Sequence, residues 1–423
     1  MRLWHLRLKH PLRLFGVLIA YAHLGAAMAS EGELPRPQQT LVNYQDSRLQ
    51  FQSAEGRFSA TIQHRLQFRY AYPIDKDPRS TADLDPRSSS FLVRRARFKL
   101  NGHAFWPWLE WNMQYDWTQP VLRDFSMTIS RVPWFRVLLG RRKVFWNDER
   151  VTSSGAQQFV NRSIVNDIFT VDRQQGIQVF GRVLPGRWAD FTYYAGVFTG
   201  RGVGERYNDD AHMMYAGRLQ WNVLGDELNY SQSDVEYHDR PTASLAFGAA
   251  TNVSGCTAYE TDRNSCLALP TPRSDGGRFA EPQDAAGRYK LEQGFAEFRL
   301  KWRGLYAKHE SHLKRVIDRD VVEAAPGRIT RLRGGLSQIG YFPHHAWALV
   351  PQPLELAARY AFVDPARTVP WNLQTETSGV INWFFFGHYN KASIEVSRLT
   401  VADPTALATR VEFRFRMQWD VSF

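Results

Sequence analysis

The last segment of this chain alternates between apolar and polar residues without a break, and this pattern constrains the fold more than any other feature. Its apolar members are Val411, Phe413, Phe415, Met417, Trp419, Val421 and Phe423, and its polar members are Arg410, Glu412, Arg414, Arg416, Gln418, Asp420 and Ser422. Successive side chains point to opposite faces of a strand, whereas a helix would spread these apolar groups around its circumference. The alternation therefore predicts a strand with one apolar face and one polar face.

The same period of two recurs along most of the chain and predicts an all-β protein. Residues 57–70 repeat it, with His64 as the exception on the apolar face. Sixteen segments are predicted as strands, near 57–70, 91–101, 108–118, 122–131, 135–144, 174–183, 188–198, 213–222, 242–250, 294–303, 305–314, 332–342, 354–363, 376–386, 390–400 and 409–423. An even number of amphipathic strands of about ten residues indicates a closed, transmembrane antiparallel β-barrel, because every backbone donor and acceptor is paired around the ring.

The lengths of the connections support the barrel independently of the alternation. Long connections follow the first, fifth, seventh, ninth and eleventh predicted strands, and short ones follow the second, fourth, sixth, tenth and fourteenth. This order is typical of short periplasmic turns at one end and long external loops at the other. Connections 119–121 and 223–241 break the rule. A soluble periplasmic β-sandwich or propeller is the alternative, but a propeller would show a repeat of about 40 to 50 residues, and none is visible.

The N-terminus has the three parts of a secretory signal peptide. Residues 1–13 contain four basic residues and no acid, an apolar run follows, and Ala27 to Ala29 offer a small-residue cleavage site. We therefore expect residues 1–29 to be a signal peptide, residues 30–56 to be a short periplasmic segment, and residues 57–423 to form an outer-membrane β-barrel in contact with lipid. After this leader no apolar run reaches the length of about 20 residues that a helical span requires.

Charge and cysteine content narrow the classes of partner. The formal net charge of +11 would suit a nucleic-acid binder, but export from the cytoplasm argues against a nucleic-acid partner. Cys256 and Cys266 lie close together in a stretch rich in Gly, Ser and Asp, where they are either two unrelated thiols or a loop disulfide. An oxidising compartment favours the disulfide. No Cys/His spacing resembles a zinc site, and we expect neither a metal nor a cofactor.

If the apolar faces meet lipid, the polar alternates face a water-filled lumen in which basic residues outnumber acidic ones. Closing the barrel places the last strand beside the first. Nine basic side chains then share one side of the lumen, called here the basic wall: Arg57, Arg65, Arg69, Arg95, Arg97, Lys99, Arg410, Arg414 and Arg416. Guanidinium groups match the oxygens of phosphate and carboxylate, and a confined lumen focuses their field, so the basic wall predicts a path for anions. The alternative is that these cations simply pair with lumenal acids.

The long connection 145–173 is the candidate for a segment that narrows the lumen. It is rich in charged and small polar residues and has few apolar ones. Its candidate pore-constricting residues are Asp148, Arg150, Arg162 and Arg173. The same connection could instead form an external cap, and both interpretations remain open at this point.

Four motifs follow one another in the first half of the chain: Phe91-Leu-Val-Arg-Arg-Ala-Arg-Phe-Lys-Leu-Asn-Gly102 with an aromatic-rich turn after it, Gly140-Arg-Arg-Lys143-Val-Phe145, Phe159-Val-Asn-Arg162-Ser163 and Arg173-Gln-Gln-Gly176. Together they resemble the phosphate-selective porin O and P family, and the resemblance runs from about residue 57 to the C-terminus. It implies a homotrimeric, sixteen-stranded outer-membrane channel that conducts anions such as phosphate passively, with an arginine ladder and an inward loop. The chain departs from the family in lacking its frequent Pro-Phe pair after Lys143 and in carrying a cysteine-bearing loop.

Three functions compete for such a barrel. A passive porin for phosphate or related oxyanions would use the basic wall. A barrel enzyme such as a lipase or protease would need a nucleophile, a base and an orienting group in one cluster, and no histidine accompanies a recognisable serine motif. A structural or adhesion barrel would not require a basic lumen. We therefore expect an anion porin of the outer membrane without enzymatic activity.

Overall fold

The computed structural model describes residues 41–73, 88–259, 266–404 and 407–423. The expected signal peptide, residues 1–29, and the first part of the expected periplasmic segment lie outside the described residues. Among the described residues, no helix is long and apolar enough to cross a membrane.

Strands account for most of the described chain. They are β1 (Leu41–Gln45), β2 (Arg48–Gln52), β3 (Ser59–Tyr72), β4 (Ser90–Ala104), β5 (Trp106–Asp116), β6 (Val121–Val132), β7 (Phe135–Lys143), β8 (Arg173–Val183), β9 (Phe191–Phe198), β10 (Met214–Leu224), β11 (Thr242–Ser254), β12 (Ala258–Tyr259), β13 (Cys266–Leu267), β14 (Tyr289–Trp302), β15 (Leu305–Asp318), β16 (Ile329–Tyr341), β17 (Leu354–Asp364), β18 (Gln374–Phe386), β19 (Asn390–Asp403) and β20 (Ala408–Ser422). Helices are short: α1 (Asp148–Val151), α2 (Ile164–Phe169) and a 3-10 turn at Pro343–His345.

Eighteen of the strands form one antiparallel sheet, and β12 and β13 form a separate ladder. β1 and β2 are a hairpin attached to this sheet, so the other sixteen strands make up the barrel wall. The wall closes where β20 pairs with β3, from Phe415 opposite Tyr72 to Ser422 opposite Arg65. The predicted closed barrel of sixteen antiparallel strands is confirmed.

The N-terminal hairpin was not predicted from the alternation. β2 pairs with the start of β3, from Leu49 opposite Ile62 to Gln52 opposite Ser59. Since β20 stops short of this part of β3, β2 occupies the edge that the C-terminal strand leaves open. The edge of β3 that faces the C-terminal strand is thereby paired with β2 over its first part and with β20 over the rest, so it is not left open.

The two ends of the barrel differ in their connections. At the short-turn end, adjacent strands are joined mostly by tight turns, such as 133–134, 303–304 and 387–389. At the long-loop end, the connections include 144–172, 199–213 and 319–328. The two connections that broke the predicted order are real exceptions: 117–120 is short at the long-loop end, and 225–241 is long at the short-turn end.

Inward and outward side chains differ sharply in exposure and polarity. On β20 the outward Phe413 and Trp419 are 65% and 52% exposed, whereas the inward Arg414 and Asp420 are 1% and 0% exposed. An apolar exterior and a polar interior are what a barrel in lipid requires, because the lumen rather than the exterior then carries the charges.

Candidate functional site in the barrel lumen

The connection between β7 and β8, residues 144–172 and called here the inward loop, lies inside the barrel. Four of its backbone N–H groups donate hydrogen bonds to buried carboxylates on β14, β15, β18 and β19. The Asp148 N–H donates to Glu297 at 2.6 Å, and the Glu149 N–H donates to Glu310 at 3.0 Å. The Val160 N–H donates to Glu395 at 2.7 Å, and the Ile164 N–H donates to Glu376 at 3.0 Å. Backbone donors that would otherwise be buried without a partner are thus satisfied by carboxylates.

Each of these carboxylates is also paired with a cation. The pairs are Arg218 with Glu297 (2.8 Å), Lys308 with Glu310 (3.4 Å), Arg416 with Glu395 (3.1 Å) and Arg359 with Glu376, and Arg299 pairs with Asp148 of the loop itself (3.0 Å). Buried charges are tolerated when both members of a pair are present, and removing one member of such a pair costs about 3 to 5 kcal/mol. The charges of β14 to β19 are therefore largely engaged in holding the inward loop.

Apolar contacts fix the second half of the inward loop. Val165, Ile168 and Phe169 of α2 are buried against inward-facing apolar side chains near the long-loop end, including Leu291, Val316, Leu332, Leu336 and Val363. At the start of the loop, the Trp146 indole N–H donates to the Phe169 carbonyl oxygen at 3.1 Å. The loop is therefore a packed element with its own core.

Cys256 and Cys266 form a disulfide in the connection between β11 and β14, and its described residues, 255–259 and 266–288, are called here the disulfide loop. Ala258 and Leu269 of this loop belong to the same apolar cluster as α2. The Lys314 ammonium donates to the carbonyl oxygens of Ile168 (2.9 Å) and Thr257 (2.6 Å), which joins the two loops. The disulfide loop thus covers the inward loop from the long-loop end.

Replacing both Cys256 and Cys266 by serine is expected to lower the free energy of unfolding by about 2 to 3 kcal/mol, because a crosslink across ten residues restricts the unfolded chain. Thermal unfolding of the folded barrel in detergent measures this change. Treating the wild-type protein with a reductant should reproduce it, and treating the serine variant should have no effect. An unchanged midpoint in both would contradict a stabilising role.

The structure brings most of the basic wall into the lumen. Arg65, Arg69, Arg95, Arg97, Arg414 and Arg416 are buried on inward positions of β3, β4 and β20. Two members are elsewhere. Arg57 is exposed in the turn before β3, since that strand begins at Ser59 rather than at 57, and Arg410 is exposed at the long-loop end of β20.

Several wall residues hold the inward loop from its other side. Arg69 donates to the Asn161 side chain (2.9 Å) and to the Val160 carbonyl oxygen (3.0 Å), and Arg65 donates to the Ser153 hydroxyl (2.6 Å). Others pair with acids as the alternative interpretation supposed, since Arg97 lies 2.8 Å from Asp116 and Arg414 lies 2.5 Å from Glu412. Pairing with lumenal acids therefore describes part of the basic wall, and contact with the inward loop describes another part.

Lys99 differs from its neighbours because it makes no hydrogen bond or ion pair with any described residue. It is half-buried and borders a lumenal cavity of about 380 Å³ at the edge of the inward loop. Arg48, Arg65 and Lys301 also line this cavity, and Glu236 is the one carboxylate among its described lining residues. His388 is a further neighbour, but burial and the charge of Lys391 keep its pKa well below the usual range, so its ring is neutral. The cavity is basic overall.

The candidate constriction residues are engaged within the loop or at its base. Arg150 pairs with Asp172, and Arg173 donates to both oxygens of Asp124, at 2.7 and 3.1 Å. Burial raises the pKa of Asp172, but the charges of Arg150 and Arg173 outweigh it and lower that pKa overall, so the carboxylate is ionised. Arg162 donates to backbone oxygens of the inward loop itself.

Sequence reasoning missed the second segment that enters the lumen, the β10–β11 connection 225–241. From the short-turn end it reaches the inward loop, where the Gln232 N–H donates to the Ala156 carbonyl oxygen (2.8 Å) and the Ser233 hydroxyl donates to Glu355 (3.0 Å). It also missed Arg48, which enters the cavity from the unpredicted hairpin. The unusual length of 225–241 at an end of tight turns was the available signal.

Comparison with solved structures shows that the fold is similar to that of outer-membrane barrels. No curated protein matches the chain significantly. One similar solved structure is an anion-selective porin from Comamonas acidovorans, with 11% identity, a TM-score of 0.54, and coverage of 86% of this chain and 100% of that chain. Another is in-vitro folded OmpT, an outer membrane protein of Vibrio cholerae, with 10% identity, a TM-score of 0.53, and coverage of 87% and 98%. A third is the outer membrane channel DcaP of Acinetobacter baumannii, with 11% identity, a TM-score of 0.52, and coverage of 86% and 97%. At these identities the likeness shows the fold alone.

The family itself is identified by a sequence model. The model described as phosphate-selective porin O and P matches residues 63–415, which is most of the chain and nearly the whole barrel wall. The expected resemblance is thereby confirmed, as is the expectation of a transport channel rather than an enzyme. The chain belongs to the phosphate-selective porin O and P family and is a β-barrel porin of the outer membrane.

Proposed function

We propose that this porin lets small anions, phosphate or related oxyanions, diffuse passively through the part of the lumen that Lys99 borders at the edge of the inward loop. The observation that carries the proposal is the basic cavity at the edge of the loop, which Lys99, Arg48, Arg65 and Lys301 border. These groups come from four strands: β2, β3 and β4 are neighbours in the sheet, and β14 meets them at the cavity.

The chemistry of this cavity fits an oxyanion. Guanidinium groups donate two parallel hydrogen bonds to phosphate oxygens, and an ammonium group offers a compact charge. Low-dielectric walls focus the field of such groups and raise the local concentration of anions. Lys99 is not engaged by a described acid, so its charge is available to a passing ion, whereas Arg97 is partly neutralised by Asp116.

We further propose that the inward loop sets the width of the path. The loop is anchored on both sides of the barrel, by Arg65 and Arg69 on one and by Glu297 and Glu310 on the other. An element tied to opposite walls divides the lumen. The bound ion must also leave, which requires binding that is weak and spread over several sites.

The orientation and assembly proposed here follow the family. The long-loop end faces outside the cell, both chain ends lie in the periplasm after removal of residues 1–29, and three copies form a homotrimer. The alternation of short and long connections supports the orientation.

Purified protein inserted into planar bilayers is expected to show a reversal potential in a KCl gradient that favours chloride over potassium. Added phosphate should reduce the chloride conductance with half-block at about 1 mM, because four basic groups at about 1 kcal/mol each give about 4 kcal/mol of binding. Gluconate at the same ionic strength serves as the control and should not block. Selectivity for potassium, or no conductance at all, would contradict the proposed anion path.

A further inference from the structure

An outward-facing basic patch lies on the barrel exterior near the long-loop end. It consists of Lys290 on β14, Arg315 on β15, and Arg331 and Arg333 on β16, and it is called here the outward basic patch. Their alternates Leu291, Val316 and Leu332 are buried inside the barrel, so the patch residues are on the lipid-facing side. They have no part in the lumen described above.

The rim on β3 to β5 does not share this character. At the same end of β3 and β4 the outward positions are Tyr72, Phe91 and Val93, and Trp117 follows β5. These side chains are 44% to 72% exposed and apolar or aromatic, as is usual where a barrel meets the membrane interface. The outward cations on β14 to β16 are therefore a local feature of the rim, and an anionic partner would explain them.

Cross-strand register places like charges directly opposite each other in this sector. Arg315 is the partner of Glu292 on one side and of Arg331 on the other. Like charges directly opposite each other on a sheet destabilise it. An anionic group bound between Arg315 and Arg331 would remove that repulsion.

Nearby acids do not neutralise the patch. Glu292 forms ion pairs with both Lys290 (2.8 Å) and Arg315 (2.6 Å), and Asp364 forms an ion pair with Arg333 (3.1 Å). Arg331 is exposed and makes no ion pair with any described residue. Four cations thus face two carboxylates, which leaves a net positive surface.

The level of the patch along the barrel matches that of lipid headgroups. Leu313, two residues from Arg315 toward the short-turn end, is 63% exposed on the same face, and Ile339 and Tyr360 continue this apolar surface at 52% and 50% exposure. Toward the other end the strands finish within a few residues. The patch therefore borders the hydrocarbon region, where basic clusters meet the phosphates of anionic lipids.

We propose that the outward basic patch binds the phosphorylated glucosamine headgroup of lipopolysaccharide, with a phosphate seated between Arg315 and Arg331. The choice of this lipid rests on the orientation given under Proposed function, because lipopolysaccharide occupies the outer leaflet of the outer membrane. Its phosphates supply the paired oxygens that guanidinium groups recognise.

Binding of diphosphoryl lipid A to the purified full-length protein in mixed micelles, measured by native mass spectrometry, tests the proposal. The variant carrying Arg315→Gln, Arg331→Gln and Arg333→Gln is expected to bind about a hundredfold more weakly, from the loss of three charges near a membrane surface. The matched control carries Arg57→Gln, Arg131→Gln and Arg187→Gln, three exposed arginines at the short-turn end, and should bind like the wild type. Arg331→Gln alone should weaken binding about fivefold, and Arg331→Lys should restore most of it.

Lipid controls separate the sources of phosphate. Dephosphorylated lipid A should bind the wild type as weakly as diphosphoryl lipid A binds the triple variant. Equal affinity for phosphatidylglycerol and lipid A would overturn the assignment to lipopolysaccharide, as would an unchanged affinity in the triple and single variants. Dissociation of the oligomer with lipid A binding intact would instead identify the patch as a contact between subunits. Conductance and anion selectivity of the triple variant should be those of the wild type, so failure of this proposal is distinct from failure of the proposed transport.

Discussion

Replacing Lys99 by glutamate is expected to lower the ratio of anion to cation permeability by about tenfold, since the change moves two units of charge in a confined lumen. Lys99 borders the basic cavity and lacks a described hydrogen-bonding or ion-pairing partner, so its removal leaves no buried carboxylate unpaired. The barrel should therefore fold normally while its selectivity changes. Reversal potentials in a KCl gradient measure the ratio.

Further variants make this experiment specific. Arg57→Glu applies the same change of charge in the exposed turn before β3, and it should leave the ratio close to that of the wild type. Arg97→Gln should lower the ratio less than Lys99→Gln, which removes the same one unit of charge, because Asp116 already offsets the Arg97 charge. Equal effects of Lys99→Glu and Arg57→Glu would mean that general charge, and not the cavity, determines selectivity.

The double variant Glu297→Gln and Glu310→Gln is expected to release the inward loop from the wall of β14 and β15. Glu297→Gln leaves the buried Arg218 without its carboxylate, and Glu310→Gln leaves Lys308 with Asp148 alone. A broken buried pair costs about 3 to 5 kcal/mol. A loss of about 3 kcal/mol from docking would raise the undocked population of the loop about a hundredfold. Single-channel conductance should increase accordingly.

Limited proteolysis reports on the same release. Arg150 is 2% exposed in the docked loop, so trypsin should cleave after it about a hundredfold faster in the double variant, with the fragments identified by mass spectrometry. Glu292→Gln, an outward acid on the same strand β14, is the matched control and should change neither conductance nor cleavage. A double variant with wild-type conductance and a protected Arg150 would show that these carboxylates do not hold the loop.

Strand prediction succeeded where the outward face is apolar and the inward face polar, and it fell short where this polarity is reversed. β14 and β16 begin at Tyr289 and Ile329, several residues before their predicted starts. In these stretches the inward Leu291 and Leu332 pack in the cluster that contains α2 rather than facing water, while Lys290 and Arg331 face outward, so the usual alternation is reversed. The missing signal is a tertiary contact between segments far apart in sequence.

The candidate site was predictable in outline. Arg65, Arg69, Arg95 and Arg97 face inward because their parity along β3 and β4 is a local property of the pleated backbone. Their state of pairing was not predictable, since it depends on partners such as Asn161 of the inward loop. Arg48 likewise reaches the cavity only because the hairpin docks where β20 ends.

The sequence by itself determined that this chain forms a sixteen-stranded barrel, which faces of its strands meet lipid, and that basic residues dominate the lumen. These properties follow from the strict period of two, because a strand turns each successive side chain to the opposite face regardless of its distant neighbours. Only the tertiary structure decided that Lys99 remains unengaged by described residues while Arg97 is paired, and that residues 144–172 and 225–241 meet inside the barrel. These pairings and contacts depend on interactions between segments far apart in the sequence, and the local alternation of residues carries no information about them.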